Sequence, residues 1–432
     1  MPADGWLRRP LLYALMVVCA VGAAVLSLQL LAVGATPPPM VIADGAASTS
    51  TLDAVRRPED IGVGNGTRTP PMASLSPDDG PDTPTATTGG DLQAGNDPGS
   101  PAPVELRSEP AVAADAVAVI AYVPDGSKFL SEVHHMLHGS WARCTAPLQL
   151  DPDSRPTDLV LFSHRDAVAH LPGDCVVVDP KTFTSGVQVS TLERRRHRCV
   201  VVEQTPNGTD YWGQASYEYM RSLVYVHDGR YRRLLLSYSK LLRTDLDVFL
   251  TPSFFTWRPT RFVTGRGAYS TMWYTQARLV GIAEKLGLRH RRAFCVGSTW
   301  FGDSKTVIAL TNLTEHVARH FLDNEFGPDE EIVWPKWWRG VTSMYAGELA
   351  VNHLLDDDEH DSNPSQIDAD STSKDPTAGV YHIHCWQGIT FPRYFSKTVF
   401  FYEQRYTKEA YPQSSLDPDV IRDYCMLVAL YG

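Results

Sequence analysis

The feature that most constrains this chain is an uncharged apolar run near its N-terminus, Leu11 to Ala35. It is 25 residues long, and only Ser27 and Gln29 are clearly polar. About 20 such residues cross a bilayer as a helix. Arg8 and Arg9 precede the run, so the positive-inside rule places residues 1–10 in the cytosol and everything after residue 35 beyond the membrane. The competing reading is a cleaved signal peptide ending at Val33-Gly34-Ala35. The apolar core of such peptides is about 7–15 residues, so the length favours a retained single-pass anchor at 11–35.

Residues 36–110 supply no core. Pro, Gly, Ser, Thr, Asp and Ala dominate, and aromatic residues are absent. This composition buries too little apolar surface to offset its ordering entropy, so a disordered stem is expected. Ser and Thr with Pro also suit an O-glycosylated stalk. The folded part is then residues 111–432, read as one large unit. Anchor, stem and C-terminal domain form the layout of type II secretory-pathway enzymes, and equally of some cell-surface receptors.

Bulk numbers exclude other classes. The chain carries 39 Lys+Arg against 50 Asp+Glu, a net charge of -11, which argues against general nucleic-acid binding, where cations meet phosphates. A single long apolar run excludes a polytopic membrane protein. The 31 Gly and 31 Pro show no triplet period, which excludes collagen. Outside the anchor stand Cys144, Cys175, Cys199, Cys295, Cys385 and Cys425, an even set open to three disulfides in any of fifteen pairings. Asn65-Gly-Thr67, Asn207-Gly-Thr209 and Asn312-Leu-Thr314 would accept N-glycans in a lumen. Asn363 is excluded by Pro364.

Periodicity begins near residue 111. Ala116 to Val123 is a continuous apolar run of the kind found in strands buried on both faces. Ser127 to Trp141 places Phe129, Leu130, Val133, Met136 and Leu137 on one helical face. Thr157–Ser163, Cys175–Val178 and Cys199–Val202 read as further strands, and Tyr217–Val226 as helical or mixed. This alternation predicts an α/β domain with a mostly parallel central sheet flanked by helices.

Ligands of open α/β sheets bind at the carboxyl ends of strands, which directs attention to Ser237–Pro252. There Asp245 and Asp247 follow one apolar segment and precede another, Val248-Phe249-Leu250. On an extended strand residues i and i+2 face one side. Two carboxylates so placed repel unless a cation lies near them, and divalent ions with oxygen ligands are commonly shared with substrate phosphates. The plain alternative is a strand end with two solvated acids. Tyr381-His382-Ile383-His384-Cys385-Trp386 offers a His-x-His pair, and imidazole is an accepted ligand for transition metals.

Leu241-Leu-Arg243-Thr-Asp245-Leu246-Asp247-Val-Phe resembles the Asp-x-Asp motif of GT-A-fold glycosyltransferases, in particular the "Leu-Lys-Thr-Asp-Asp-Asp-Val-Phe" stretch of the β-1,3-galactosyltransferase group. Arg243 stands in place of Lys, and Leu246 in place of the middle acid. The likeness covers about a dozen residues. The stretch Asp245–Pro252, with Gly297-Ser-Thr-Trp-Phe-Gly302 and His382–Trp386, also resembles an uncharacterised eukaryotic family of unknown function over most of residues 210–432.

The first resemblance implies a Rossmann-like GT-A domain in the Golgi or ER lumen. It would move a sugar from a UDP- or GDP-sugar to a glycan or glycoprotein acceptor, with Mn²⁺ (or Mg²⁺). Asp247 would bind the metal, Asp245 the ribose or a metal-bound water, and His384, ahead of His382, would be the third ligand. Arg243, Lys336 and Arg339 are the candidate donor-binding cations, and the tryptophans of Trp334-Pro-Lys336-Trp337-Trp338-Arg339-Gly340 could stack on sugar rings. An inverting transfer needs a carboxylate to take the acceptor proton. Glu348, on the helical stretch Val341–Leu355, is the first candidate, against the plainer reading of an exposed helix Glu. Asp303 is the second. A metal-dependent hydrolase using the same acids and a non-catalytic anchored binding protein with a degenerate motif are the alternatives. The basic runs Arg194–Arg198 and Arg289–Arg292 read as solvated faces. The acids Asp356–Glu359, Asp361, Asp368 and Asp370 read as a polar loop, since they lack the order and the glycine of an EF-hand.

Overall fold

The computed structural model describes residues 115–151, 153–183, 196–204, 210–327, 336–363, 365–385, 395–397 and 399–432. The expected anchor (11–35) and stem (36–110), and the sequon asparagines Asn65 and Asn207, lie outside the described residues. Among the described residues no helix is long and apolar enough to cross a membrane.

The continuous apolar run forms strand β1, Val117–Val123. It pairs in parallel with β2, Thr157–Ser163. Next to β2 lies β4, Cys199–Glu203, and then the two-residue β3, Val176–Val177, both parallel. On the other side of β1 lies β5, Lys240–Arg243, also parallel. The short β6, Val248–Leu250, follows in sequence but belongs to a second sheet. Strand β8, Val296–Asp303, runs antiparallel to both β5 and β7, Phe262–Arg266, and β9, His360–Ser362, closes the edge parallel to β7. The order is β3-β4-β2-β1-β5-β8-β7-β9, a mixed and mostly parallel sheet.

Both faces of this sheet are covered, which explains why its strands read as unbroken apolar runs rather than alternations. Val117, Val119 and Ala121 of β1 point to the helical stretch 127–145 (α1), where they meet Val133, Leu137 and Trp141. Ala118 and Ile120 point to the opposite layer. That layer is built by α2 (Trp273–Lys285), α3 (Ser304–Asn324) and α4 (Thr342–Leu354). A fully buried Val, Ile or Leu is worth about 1.5–3 kcal/mol, so a polar residue anywhere in β1 would be costly. The expected helix at Ser127–Trp141 is present, extends to Thr145 and contains a π-helical turn at Val133–Leu137.

A second, three-stranded sheet is made by β10 (Ala369–Asp370), β11 (His382–His384) and β6, with β11 antiparallel to β6. It packs with α5, Ile421–Tyr431, through Phe249, Ile383, Phe395 and Tyr424.

Strands β2 and β4 extend from β1 to one side and β5 lies on the other. The strand order therefore reverses between β1 and β5, and the crevice beyond their carboxyl ends is where such sheets bind ligands.

Of the six cysteines outside the expected anchor, which left up to three disulfides open, two are joined. Cys175 and Cys199 are bonded, while Cys144, Cys295, Cys385 and Cys425 are buried thiols. Cys144 instead has Tyr424 Oη at 3.3 Å from its sulfur. Two of the charged runs meet each other: Arg289 pairs with Asp356 and Arg291 with Asp357.

Candidate functional site

Asp245 and Asp247 lie in the bend between β5 and β6, not on an extended strand, so strand alternation is not what brings them together. The bend turns between two buried strands of different sheets and is held from both sides. Arg243, the last residue of β5, is buried and donates to Ser298 O (2.5 Å), Ser222 Oγ (2.8 Å) and Asp245 Oδ1 (3.1 Å). Ser298 Oγ donates to the other oxygen of Asp245 at 3.0 Å. On the β11 side the Cys385 amide donates to Asp247 O at 2.9 Å.

His384 comes to this bend because β11 pairs with β6, placing it opposite Val248. Its Nε2 is 3.3 Å from Asp247 Oδ1. Donor atoms of Asp245, Asp247 and His384 all lie within 4.8 Å of one another. One cation can bridge such a spacing, and two carboxylates with an imidazole suit Mn²⁺ or a similar ion. His138, Cys175 and Cys199 also converge, but both sulfurs are bonded to each other.

Behind His384 stands Asp368, one of the acids expected in a polar loop. Asp368 is 3% exposed, and its Oδ1 lies 3.5 Å from His384 Nδ1 and 3.1 Å from His382 Nδ1. Thr299 Oγ1 donates to the same oxygen at 2.7 Å. His382 Nε2 meets Thr244 Oγ1 at 2.8 Å. A carboxylate behind an imidazole is the arrangement that fixes a metal-ligating His in one orientation. Asp368 sits in the left-handed region at φ 60°. Gly265 of β7 leaves room for its carboxylate: a Cβ there would lie 1.7 Å from Asp368 Oδ2.

Lys397 joins the cluster without a sequence motif to mark it. Its ammonium pairs with Asp247 Oδ2. Burial would raise the Asp247 pKa, but Lys397 and then His384 outweigh it and hold the carboxyl well below the usual range. Burial likewise opposes charge on His384, yet Asp247 and Asp368 lift it to about 10. Glu132, buried on α1, is pushed up to about 7 by its burial and then by the Asp247 charge.

These groups open on a cavity of about 350 Å³. Arg243, Asp245, Asp247, Asp368, His384 and Lys397 are among its lining residues. Arg266 and Tyr269 line it from the end of β7, and Tyr219, Trp338 and Met344 give it an apolar wall. Arg266 is exposed, and among the described residues no carboxylate pairs with it. The register of β7 against β8 slips between Thr264 and Arg266, and such bulges re-aim side chains.

Four of the remaining expected residues are placed elsewhere. Glu348 is not an exposed helix acid: it is 2% exposed and does not line the cavity. Its Oε2 accepts from Ser270 Oγ (2.5 Å) and the Cys295 amide (2.8 Å). Burial raises it to about 7, with those bonds opposing. Asp303 closes β8 and pairs with Lys240 Nζ at 2.7 Å, at the amino end of β5 and so at the far edge of the sheet from Asp245. Arg339 donates to Ala215 O and lies over the Tyr217 ring. Lys336 is exposed and does not line the cavity. The tryptophans divide: Trp337 stacks on Tyr345 in the core (centroids 4.5 Å apart) while Trp338 faces the cavity, and Trp334 lies outside the described residues.

Fold and site together define a mixed α/β domain with an acid–histidine cluster at the point where its strand order reverses. The chain belongs to the DUF7164 family, a domain of unknown function whose model matches residues 112–429. That span holds every strand of both sheets and every residue of the cluster. No curated protein matches the chain.

Proposed function

We propose that this protein is a metal-dependent glycosyltransferase with a GT-A-like domain, taking a sugar from a UDP- or GDP-sugar to a glycan or glycoprotein acceptor. We place it as a type II membrane protein of the Golgi or ER. The observation that carries the reading is the meeting of Asp245, Asp247 and His384 donor atoms within 4.8 Å, on a cavity at the carboxyl end of β5. The donor set fits Mn²⁺ or Mg²⁺, and the Asp368 carboxylate behind His384 fits a ligating histidine. When bound, the ion supplies Lewis acidity that neutralises the leaving diphosphate.

The chain's own residues then have distinct tasks. Asp247 and His384 would hold the ion, His384 giving up a proton to do so. Asp245, fixed by Arg243 and Ser298, would hold the ribose or a water beside the ion. Arg266 takes a phosphate oxygen, a contact Arg makes well because its fork matches the oxyanion. Trp338 and Tyr219 give rings a surface to stack on. Neither Glu348 nor Asp303 is proposed as the base, since neither reaches the cavity.

The test is turnover. The protein is incubated with UDP- and GDP-sugars, Mn²⁺ and a glycan mixture, and free nucleotide and extended glycans are measured. Nucleotide release with glycan extension, lost in Asp247→Asn, supports the proposal. Release of sugar or phosphate to water alone supports a hydrolase. No release from any donor refutes both.

A further inference from the structure

The charges of the cluster are balanced in an unusual way for a site meant to attract a cation. Each motif acid already has a resident positive group. Arg243 holds Asp245 at 3.1 Å. Lys397 pairs with one oxygen of Asp247, and His384 faces the other at 3.3 Å. The side chains of Asp247 and Lys397 are only 13% and 16% exposed, so water screens this pair weakly. Glu132, buried on α1, bears electrostatically on both. A bare divalent ion entering here gains Asp247 only by displacing the ammonium or standing beside it. Like charges at close range in a poorly screened site are mutually costly.

A diphosphate changes that balance. Lys397 lines the same cavity as Arg266, so an anion in the cavity offers the ammonium a new partner without a change of compartment. Ion and diphosphate together add little net charge, whereas either alone leaves the site unbalanced. We propose that Lys397 is the resident counter-ion of Asp247 and makes metal and nucleotide bind as a pair: it blocks the bare cation and turns to the diphosphate when both arrive. This rests on the metal–nucleotide reading above, and it assigns Lys397 as a positioning residue for both ligands.

The experiment titrates Mn²⁺ into the full-length protein, following free Mn²⁺ by electron paramagnetic resonance, with and without UDP or GDP. In the wild type, nucleotide should tighten Mn²⁺ binding by about tenfold or more, and Mn²⁺ should tighten nucleotide binding by the same factor. Lys397→Met should bind Mn²⁺ alone about tenfold more tightly and lose most of that coupling. Lys397→Arg should restore it. Thermal melting of each variant separates these effects from misfolding. Should Lys397→Met not fold, the wild-type coupling alone decides: tight Mn²⁺ binding indifferent to nucleotide overturns the proposal. A Lys397→Met protein that folds and binds Mn²⁺ as the wild type does overturns it too, while the metal site stands. No Mn²⁺ binding to wild type, with or without either nucleotide, removes the metal–nucleotide reading itself.

Discussion

Gly265→Ala should disable this site although no charged residue is replaced. The new Cβ would sit 1.7 Å from Asp368 Oδ2 and 2.4 Å from its Cγ. Contacts below 3.0 Å do not persist, so the carboxylate must retreat by at least 3.0 − 1.7 = 1.3 Å. The strand cannot give way instead, because β7 is pinned between β8 and β9. Moving the carboxylate breaks the 2.7 Å bond from Thr299 and the contacts to His382 and His384. Breaking a buried pair costs about 3–5 kcal/mol. With an unfolding entropy of about 2.1 cal/mol/K per residue over roughly 300 residues, that lowers Tm by about 5–8 °C. His384 also loses its support, which should weaken Mn²⁺ binding roughly 10–100-fold. Melting curves, and Mn²⁺ titrations in the presence of UDP or GDP, on the two proteins give both numbers. Gly281→Ala is the control, since nothing lies within 4 Å of its added Cβ, and it should be neutral or gain up to about 1 kcal/mol. A Gly265→Ala protein with wild-type Tm and Mn²⁺ affinity would refute the assigned role of Asp368.

Other outcomes follow from the same contacts. Glu348 should make stability pH-dependent. Its pKa is raised from 4.5 to about 7, so its stabilising share is whole below about pH 4.5 and is lost as pH rises to about 7. Relative to Glu348→Gln, the wild type should lose about 3 kcal/mol over that range, read from urea midpoints at pH 4.5 and pH 8. Parallel curves would contradict it. Arg266→Ala should weaken UDP or GDP binding by about 1.5–3 kcal/mol, the worth of a hydrogen bond to a charged group, with Tm unchanged. If Arg339→Ala weakens nucleotide binding and Arg266→Ala does not, the phosphate role belongs to Arg339.

How much of this was legible in the sequence depends on how local each feature is. β1, β2 and β4 could be read because burial on both faces leaves an unbroken apolar run in the text. The helix at Val341–Leu355 also could, and it is found at Thr342–Leu354. Asp245, Asp247 and His384 were nameable because each sits in a short pattern, although a pattern does not say that the patterns meet. That meeting is made by the β6–β11 pairing. Asp303 is set apart from the site by strand direction, which the sequence does not carry. β8 runs antiparallel to β5, which carries its carboxyl end to the opposite edge. Asp368 was hidden among the acids between residues 356 and 370. What distinguishes it is room left by Gly265 and a hydroxyl from Thr299, both far away in sequence. Lys397 and Arg266 carry no local signature, and only the cavity singles them out.

Asp247 and its neighbours are proposed to hold a divalent ion together with a nucleoside diphosphate. The most direct measurement is the thermal shift produced by UDP and by GDP, with Mn²⁺ and with chelator. One of the two nucleotides should raise Tm only when Mn²⁺ is present, by a few degrees at saturating ligand, and Asp247→Ala should abolish the shift. A nucleotide shift that persists in chelator or in Asp247→Ala, or no shift with either nucleotide, would contradict the account.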